Sequence, residues 1–297
     1  MTAIDRSFGR QAFGLNPAAY HAARPDYPEW VYDRLVDCGL KPGARVFEIG
    51  AGTGKATRRL IEAGADPLVA IEPDARLADF LEQNQQKWEP VLRPVLRKNK
   101  EIEHVGEPKF AVRALEASLR HPALTVVRAP FEEADLAEGG FDLGVSATAF
   151  HWLDEAAALE KVARLLRPGG WWAAIWHVFG DAGRPDPFHE ATQSLLSGYA
   201  SPSAGERGVP FGLDVEARTQ ALTRTGAFDV VDYKIVPWQL VLTAEETVAL
   251  YATYSDMAAR PNMDAVLMEL GRIAREEFGD RVERNMTTSL FVARRGQ

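Results

Sequence analysis

The chain has 297 residues, of which 46% are hydrophobic and 26% charged, and its formal net charge is −8. A chain of this length could form one large α/β domain or two smaller ones with a substantial core, and its composition is that of an ordinary soluble protein. The negative charge disfavours nucleic acid and anionic membranes as partners. The single cysteine, Cys38, excludes an internal disulfide, and the six scattered histidines suggest no metal site. No long apolar run and no apolar leader appears, so a cytoplasmic location is expected.

Short apolar strands alternate with helical segments along most of the chain, as in a parallel α/β domain. The predicted strands and helices, in chain order, are strand 45–49, strand 68–71, helix 74–81, strand 124–127, strand 141–146, helix 155–166, strand 171–176, strand 238–243, helix 244–257, helix 263–278 and strand 288–293. Pro261 separates the two late helices. The last two strands are predicted to be antiparallel.

A glycine-rich turn follows the first of these strands. Residues 45–57 read RVFEIGAGTGKAT, so three glycines alternate at Gly50, Gly52 and Gly54, and the next strand ends at Glu72. Glycine lets a ligand approach the backbone where a Cβ would exclude it, and a helix start offers unpaired N–H groups. An acid at the tip of the next strand can accept hydrogen bonds from both ribose hydroxyls. The pattern therefore predicts a site for a cofactor that contains a nucleoside.

The spacing separates the candidate cofactors. A P-loop requires Gly-x-x-x-x-Gly-Lys-Ser/Thr, but position 49 is isoleucine and position 56 is alanine. A dinucleotide fingerprint requires Gly-x-Gly-x-x-Gly, and Lys55 or Thr57 occupies the place of its third glycine. An NAD-dependent oxidoreductase stays open as an alternative, as does a glycine-rich turn without a ligand.

The remaining pattern, Glu48-x-Gly-x-Gly-x-Gly, resembles motif I of the class I S-adenosylmethionine-dependent methyltransferases. Residues 141–144 (FDLG), 150–152 (FHW) and 166–170 (LRPGG) resemble later motifs of that family, in the same order. The resemblance implies a Rossmann-like, mostly parallel sheet of seven strands with helices on both faces and an antiparallel last strand pair. It also implies S-adenosylmethionine as the cofactor and a small molecule as the methyl acceptor.

The N-terminal segment resembles the lead-in of small-molecule methyltransferases of the trans-aconitate and quinone types, which folds over the cofactor. The resemblance is carried by Phe13, Tyr20, Arg24, Pro25, Tyr27 and Pro28, and an ordinary aromatic helix cap is the alternative. The resemblance implies that Tyr20 and Arg24 meet the methionine carboxylate, for which a planar guanidinium is suited. Many relatives carry an aspartate after the third strand, but this chain reads APFE at 129–132, so Phe131 is expected near the adenine unless it belongs only to the core. The cofactor-binding residues predicted in this way are Tyr20, Arg24, Glu48, Gly50, Ala51, Gly52, Gly54, Glu72, Pro73, Pro130, Phe131, Glu132 and Thr148.

We expect a single domain, 1–297, in which residues 1–40 form a lid over the cofactor and 178–285 a partly helical cap on the substrate side. Residues 82–113 interrupt the resemblance. They hold four of the eight lysines and three prolines, which argue against one continuous helix. This segment is interpreted as an insertion, either over the mouth of the active site or as an appendage without function.

Methyl transfer from a sulfonium is a displacement in which the enzyme mainly aligns the nucleophile and excludes water. A hydroxyl acceptor also needs a base, whereas an amine, thiol or stabilised carbanion does not. His151 and His177, which follow the fourth and fifth strands, are the candidate bases, although both could be structural. Trp152, Tyr251 and Tyr254 are the predicted substrate contacts. O-methylation is favoured, with N- and C-methylation open, and a methyltransferase-like binding protein without catalysis is the remaining alternative.

Overall fold

The structure is a computed structural model that describes residues 2–85, 124–180, 183–205 and 208–297. Most of the predicted insertion, from residue 86 to residue 113, therefore lies outside the described residues. Its first four residues continue a helix that spans residues 75–85.

A seven-stranded sheet forms the centre of the fold, with the strand order β4-β3-β2-β5-β6-β9-β8. The first five strands in this order are parallel, and β9 runs antiparallel to both β6 and β8. This arrangement confirms the predicted fold class. The strands are β1 (Thr2–Ala3), β2 (Ala44–Ile49), β3 (Ala65–Ile71), β4 (Leu124–Val127), β5 (Phe141–Ala147), β6 (Leu166–Phe179), β7 (Tyr199–Ala200), β8 (Phe228–Leu242) and β9 (Val282–Arg295), of which β1 and β7 pair separately.

Helices cover both faces of the sheet. In chain order they are α1 (Arg6–Ala12), α2 (Pro17–Ala23), α3 (Glu29–Asp37), α4 (Lys55–Glu62), α5 (75–85), α6 (Glu155–Leu165), α7 (Pro187–Leu196), α8 (Val215–Arg224), α9 (Ala244–Tyr251), α10 (Ser255–Ala258) and α11 (Met263–Glu276). Alternate residues of each strand point to opposite faces. Ala173 and Ile175 of β6 accordingly pack with α3 and α4, whereas Trp172 and Trp176 pack with α6 and α8.

Several elements differ from the sequence prediction, and β9 is one of them because it starts at Val282 rather than at residue 288. Strand β6 continues to Phe179, beyond its predicted end at residue 176, and β8 starts at Phe228 rather than at residue 238. Strand β8 is the edge of the sheet, where Pro237 is tolerated because its missing N–H is not needed by an outer neighbour. The predicted helix 244–257 is broken, because the Thr253 hydroxyl donates to the Leu250 carbonyl in a turn that ends α9.

The strand order reverses between β2 and β5, since the chain proceeds from β2 to β3 on one side and returns to β5 on the other. At such a switch point the loops at the carboxyl ends of the strands diverge and open a crevice. Helix α2 and residues 24–28, here called the N-terminal lid (residues 17–28), contact these loops. Helix α3 instead contributes Val31 and Leu35 to the core, so the predicted lid segment 1–40 contains both a covering part and a core helix.

Candidate active site

The glycine loop leaves the end of β2 with three residues in the left-handed region, at φ values of 68° for Gly50, 58° for Gly52 and 87° for Gly54. A Cβ placed on Gly52 would meet no atom within 4 Å, so this residue borders open space. A Cβ on Gly50 would instead lie 2.4 Å from the Cβ of Ala149, so this glycine allows β2 and the β5 loop to approach closely. Gly54 precedes the first residue of α4.

Two open cavities meet at this loop, with about 670 Å³ and about 510 Å³ of empty space that includes open solvent. Residues common to the two linings are Tyr20, Gly50, Gly52, Ala147 and Thr148. The larger cavity is further lined by Phe13, Ile49, Ile71, Glu72, Pro73, Leu77, Pro130, Phe131, Ala149, Trp152 and Leu153. The smaller is further lined by Arg24, Pro25, Tyr27, Glu48, Ala51, Thr53, Lys55, Ala56, His177 and Phe179.

Glu72 lies at the carboxyl end of β3, in the wall of the larger cavity, and is only 4% exposed. One carboxylate oxygen accepts from the Gly52 N–H at 2.8 Å and the other from the Asp74 N–H at 2.9 Å. Burial raises the pKa of Glu72 to about 7. Each carboxylate oxygen has a second acceptor position, so the group can still accept bonds from a ligand.

Glu48 lies beneath the loop in the smaller cavity and is 1% exposed. The Thr57 hydroxyl of α4 donates to its Oε2 at 2.6 Å. Burial, together with a smaller effect of the nearby Glu72 carboxylate, raises the pKa of Glu48 to about 8. The smaller cavity therefore has a buried carboxyl group that a ligand ammonium would stabilise in its ionised form.

Arg24 extends from the lid into the smaller cavity and is surrounded by aromatic rings. Its guanidinium carbon lies 4.7 Å from the ring centroid of Tyr254, 5.0 Å from that of Phe179 and 5.1 Å from that of Tyr20. Its Nη2 donates to the Thr253 carbonyl at 3.0 Å, and its buried Nε has no hydrogen-bond partner among the described residues. No ion pair links Arg24 to a carboxylate within the described ranges. The site therefore contains a cation that an anionic ligand group could pair with.

Of the residues predicted near the adenine, three line the larger cavity and one lies outside both cavities. Pro73, Pro130 and Phe131 line the larger cavity, and Phe131 also packs in the core, with its ring parallel to that of Phe47 at a centroid distance of 6.3 Å. Glu132 has an exposed side chain and is not part of either lining.

His151 lies behind the larger cavity and not in its lining, and it is 4% exposed. The Trp176 indole N–H donates to its Nδ1 at 3.2 Å, so the proton of the neutral ring is on Nε2. Burial lowers the pKa of His151 to about 3. The lone pair that a base requires is therefore engaged by Trp176.

His177 lies on β6 in the wall of the smaller cavity and is 6% exposed. Its Nδ1 lies 2.8 Å from the Thr288 hydroxyl and its Nε2 lies 3.1 Å from the Asp26 carbonyl oxygen. Burial lowers the pKa of His177 to about 4. A carbonyl can only accept, so Nε2 carries the proton and Nδ1 accepts from Thr288. Both ring nitrogens are thus engaged within the protein.

Thr148 lies at the end of β5 between the two cavities, with a φ of 55°. A positive φ is an outlier for a β-branched residue and is found mainly where the surroundings impose it. The Thr148 hydroxyl accepts from the His177 backbone N–H at 3.2 Å and lies 2.7 Å from the Tyr27 hydroxyl. The lid and two strands therefore meet at this hydroxyl.

The predicted substrate residues lie in three different places. Trp152 lines the larger cavity. Tyr254 contacts Arg24 and Phe179 and has a buried hydroxyl with no partner among the described residues. Tyr251 is buried among residues of α7, α9 and α11, where its hydroxyl accepts from Arg284, and it lines neither cavity.

Sequence reasoning missed several cavity residues, including Leu77, Leu153 and Phe179. Phe179 was missed because β6 was ended three residues too early. The continuing alternation of His177 and Phe179 along the strand was the available signal. Leu77 lies in the first turn of α5, four residues after Pro73, and this short spacing was the available signal.

Among the residues that the structure describes, no group of three or more histidine, cysteine, aspartate or glutamate side chains is arranged to hold a metal ion. None of the described helices combines the length and the apolar character needed to span a membrane.

Comparison with known proteins gives consistent matches. The methyltransferase domain family matches residues 106–174. An uncharacterized methyltransferase of Mycobacterium tuberculosis (strain ATCC 25618 / H37Rv) is 28% identical over 250 residues, which cover 84% of this chain and 79% of the relative.

Two solved structures share the fold at low identity. The YcgJ protein of Bacillus subtilis has a TM-score of 0.52 and 12% identity, with 91% of this chain and 99% of that chain covered. Haemonchus contortus phosphoethanolamine N-methyltransferase 2, solved with phosphomonomethylethanolamine and S-adenosylhomocysteine, has a TM-score of 0.51 and 12% identity. That alignment covers 96% of this chain but only 58% of the longer Haemonchus chain.

The strand order, the glycine loop beside Glu72 and the methyltransferase matches together support a class I S-adenosylmethionine-dependent methyltransferase, a class whose cofactor is S-adenosylmethionine.

Proposed function

We propose that this protein transfers the methyl group of S-adenosylmethionine to an oxygen of a small-molecule acceptor that is already ionised near neutral pH. The observation that supports the cofactor assignment is the cavity at the switch point of the sheet. It is lined by Gly52 and by Glu72, whose carboxylate accepts from the Gly52 N–H. The trans-aconitate and quinone type of methyltransferase remains our proposal for the subfamily.

The residues fit this cofactor at both of its ends. Gly52 borders space that a Cβ would fill, and the Glu72 carboxylate in the same cavity has acceptor positions for ribose hydroxyls. Two residues of the smaller cavity have no oppositely charged partner among the described residues: Arg24 has no carboxylate partner and Glu48 has no cationic partner. A methionine tail, with one carboxylate and one ammonium, has the charges that complement this pair.

We assign the adenosine half to the larger cavity and the methionine half to the smaller. Pro73, Leu77, Pro130 and Phe131 offer an apolar slot for the base, and Glu72 would accept from the ribose. Tyr20 and Thr148 line both cavities and would then border the sulfur between the two halves. The bound cofactor supplies an electrophilic methyl group on a sulfonium, and the protein aligns the acceptor with it and excludes water.

The acceptor assignment follows from the hydrogen bonds of the two histidines. His151 accepts from Trp176 and lies outside both cavity linings, while both nitrogens of His177 bond within the protein. Neither imidazole directs a free lone pair into the cavities, so an un-ionised alcohol would lack a base there. A carboxylate, an acidic phenol or an enolate needs none. N- or C-methylation of an equally reactive amine or carbanion is the nearest alternative.

Calorimetric titration with S-adenosylmethionine and S-adenosylhomocysteine tests the cofactor assignment, with NADH as the competing ligand. One site per chain for the first two and none for NADH is expected. A folded protein that binds neither would overturn the proposal. A panel of carboxylates, acidic phenols, neutral alcohols, amines and thiols then tests the acceptor class. Binding without turnover on every acceptor would favour a methyltransferase-like protein without catalysis.

A further inference from the structure

Residue His177 joins three parts of the molecule through one chain of hydrogen bonds. Strand β9 places Thr288 directly opposite His177, and the Trp238 indole N–H of the edge strand β8 donates to the Thr288 hydroxyl at 2.8 Å. The Thr288 proton is then directed to His177 Nδ1, 2.8 Å away. His177 Nε2–H finally donates to the Asp26 carbonyl of the lid at 3.1 Å. The Thr288 hydroxyl thus accepts from Trp238 and donates to His177 Nδ1, and the protonated Nε2 of His177 is left to donate to the lid.

The same imidazole ring supports the lid by packing. The Tyr27 ring stacks on it with a centroid distance of 4.5 Å and an interplanar angle of 20°. The Tyr27 hydroxyl reaches Thr148 at 2.7 Å, and the Thr148 hydroxyl accepts from the His177 backbone N–H. Residues 26 and 27 are thus fixed to β5 and β6 beside the smaller cavity.

The lid has other contacts as well, among them the hydrogen bond from Arg24 to the Thr253 carbonyl at 3.0 Å. His21 Nδ1 lies 2.9 Å from the Thr53 hydroxyl, and Lys55 pairs with the largely exposed Asp26 carboxylate at 2.8 Å. Exposed ion pairs contribute little, about 0–1 kcal/mol. The His177 imidazole is buried, so loss of either partner leaves one of its buried ring nitrogens unsatisfied.

We propose that His177 is a positioning residue that latches the lid over the methionine half of the site, and that Trp238 and Thr288 select the imidazole tautomer that does so. This inference rests on the proposed function, since it assigns the cavity under the lid to the cofactor. A latch at this point slows escape of the cofactor and shields the sulfonium from water. It also gives the histidine a role that requires no proton transfer.

Two amide substitutions separate a latch from a base. In His177→Gln the side-chain NH₂ reaches about as far as Nε2 and can still donate to the Asp26 carbonyl. In His177→Asn the amide reaches only as far as Nδ1, so the contact with Thr288 survives and the lid is released. Neither amide can act as a base. A latch therefore predicts that His177→Gln retains S-adenosylhomocysteine binding within about threefold, whereas His177→Asn weakens it about tenfold.

A third variant leaves the histidine in place. Thr288→Val removes the hydroxyl that fixes the tautomer while keeping the shape of the side chain, so it should also weaken S-adenosylhomocysteine binding, by about three- to tenfold. Thr125→Val is the matched control, because Thr125 is an exposed residue of β4 in the same sheet. Hydrogen exchange over residues 17–28 of the protein without ligand gives a readout that is independent of activity. It should be faster in His177→Asn and Thr288→Val and unchanged in Thr125→Val.

The outcomes are distinct. Wild-type affinity and wild-type exchange in both His177→Asn and Thr288→Val would overturn the latch. Equal loss of turnover in His177→Gln and His177→Asn, with unchanged S-adenosylhomocysteine affinity, would identify a base and also overturn it. If His177→Asn fails to unfold cooperatively, Thr288→Val carries the test. Absence of binding by the wild-type protein would instead contradict the proposed function.

Discussion

The backbone N–H of Gly52 donates to the carboxylate of Glu72 at 2.8 Å, across the gap between β2 and β3. The acid that we assign to the ribose therefore also holds the glycine loop in place. With its other oxygen Glu72 accepts from Asp74, which precedes α5. One buried side chain thus orders both edges of the larger cavity before a ligand arrives, and such preorganisation lowers the cost of binding.

Replacing Glu72 by alanine should weaken S-adenosylhomocysteine binding by about 1–3 kcal/mol, because charged hydrogen bonds to the ligand and to Gly52 are lost. Calorimetric titration measures the change. Glu132→Ala serves as the comparison, since its side chain is exposed and borders neither cavity, and it should alter the dissociation constant less than threefold. Equal effects of the two substitutions would show that the adenosine site has been misplaced.

Cofactor affinity should rise with pH between 6 and 8. Burial raises the pKa of Glu72 to about 7 and that of Glu48 to about 8, so both are partly protonated at neutral pH. Ribose hydroxyls and a ligand ammonium favour the ionised carboxylates, so binding releases protons and strengthens as pH increases, by up to about tenfold per unit and per group. Titrations with S-adenosylhomocysteine at several pH values measure the slope, which Glu72→Gln should reduce. A flat profile in the wild type would contradict this linkage.

Gly52→Val should abolish cofactor binding, because a branched side chain would occupy the open space above the loop. The substitution also strains a residue with positive φ. Gly139→Val controls for that strain, since Gly139 has a φ of 63° and equally open surroundings but borders neither cavity. We expect both variants to lose a similar amount of thermal stability and only the first to lose binding of S-adenosylhomocysteine. Retained binding by Gly52→Val would remove the loop from the site.

His151→Asn should keep turnover within about tenfold of the wild type, because the amide oxygen can still accept from Trp176 where Nδ1 does. A general base would cost about 10²–10⁴-fold in turnover when it is removed. Steady-state rates on a true acceptor, measured as a function of pH, decide between the two. A loss of that size, with a pH profile that becomes flat, would restore the histidine as base and allow an un-ionised hydroxyl as acceptor.

Tyr251→Phe should destabilise the fold without changing the Michaelis constant for the acceptor. The Tyr251 hydroxyl accepts from Arg284, which also forms a buried ion pair with Asp186 at 3.0 Å. Loss of that hydrogen bond to a charged group should cost about 1.5–3 kcal/mol in the free energy of unfolding. Tyr254→Phe is the contrast, since its hydroxyl has no partner among the described residues and its ring contacts Arg24. Denaturant unfolding and acceptor kinetics of both variants test this assignment.

The local sequence pattern was sufficient to predict much of the fold. The run of alternating glycines after β2 and the acid after β3 indicated a nucleoside site, because these features act through the backbone and the strand ends at which they occur. Apolar runs located the parallel strands for a similar reason. Only the second part of β8, from residue 238, was predicted as a strand. Its first part carries polar residues such as Asp232 and Lys234 and a proline, which an edge strand tolerates and a central strand excludes.

What each histidine does was decided by the tertiary structure alone. The sequence places His151 and His177 after two strands of one sheet, where a base would be expected. The sequence does not show which residues become their hydrogen-bond partners, since Trp176 lies 25 residues from His151 and Thr288 lies 111 residues from His177. Whether a ring nitrogen has a free lone pair depends on which donor the fold brings beside it. The sequence by itself therefore determined the class of cofactor site, and long-range packing determined which side chains remain free to act in it.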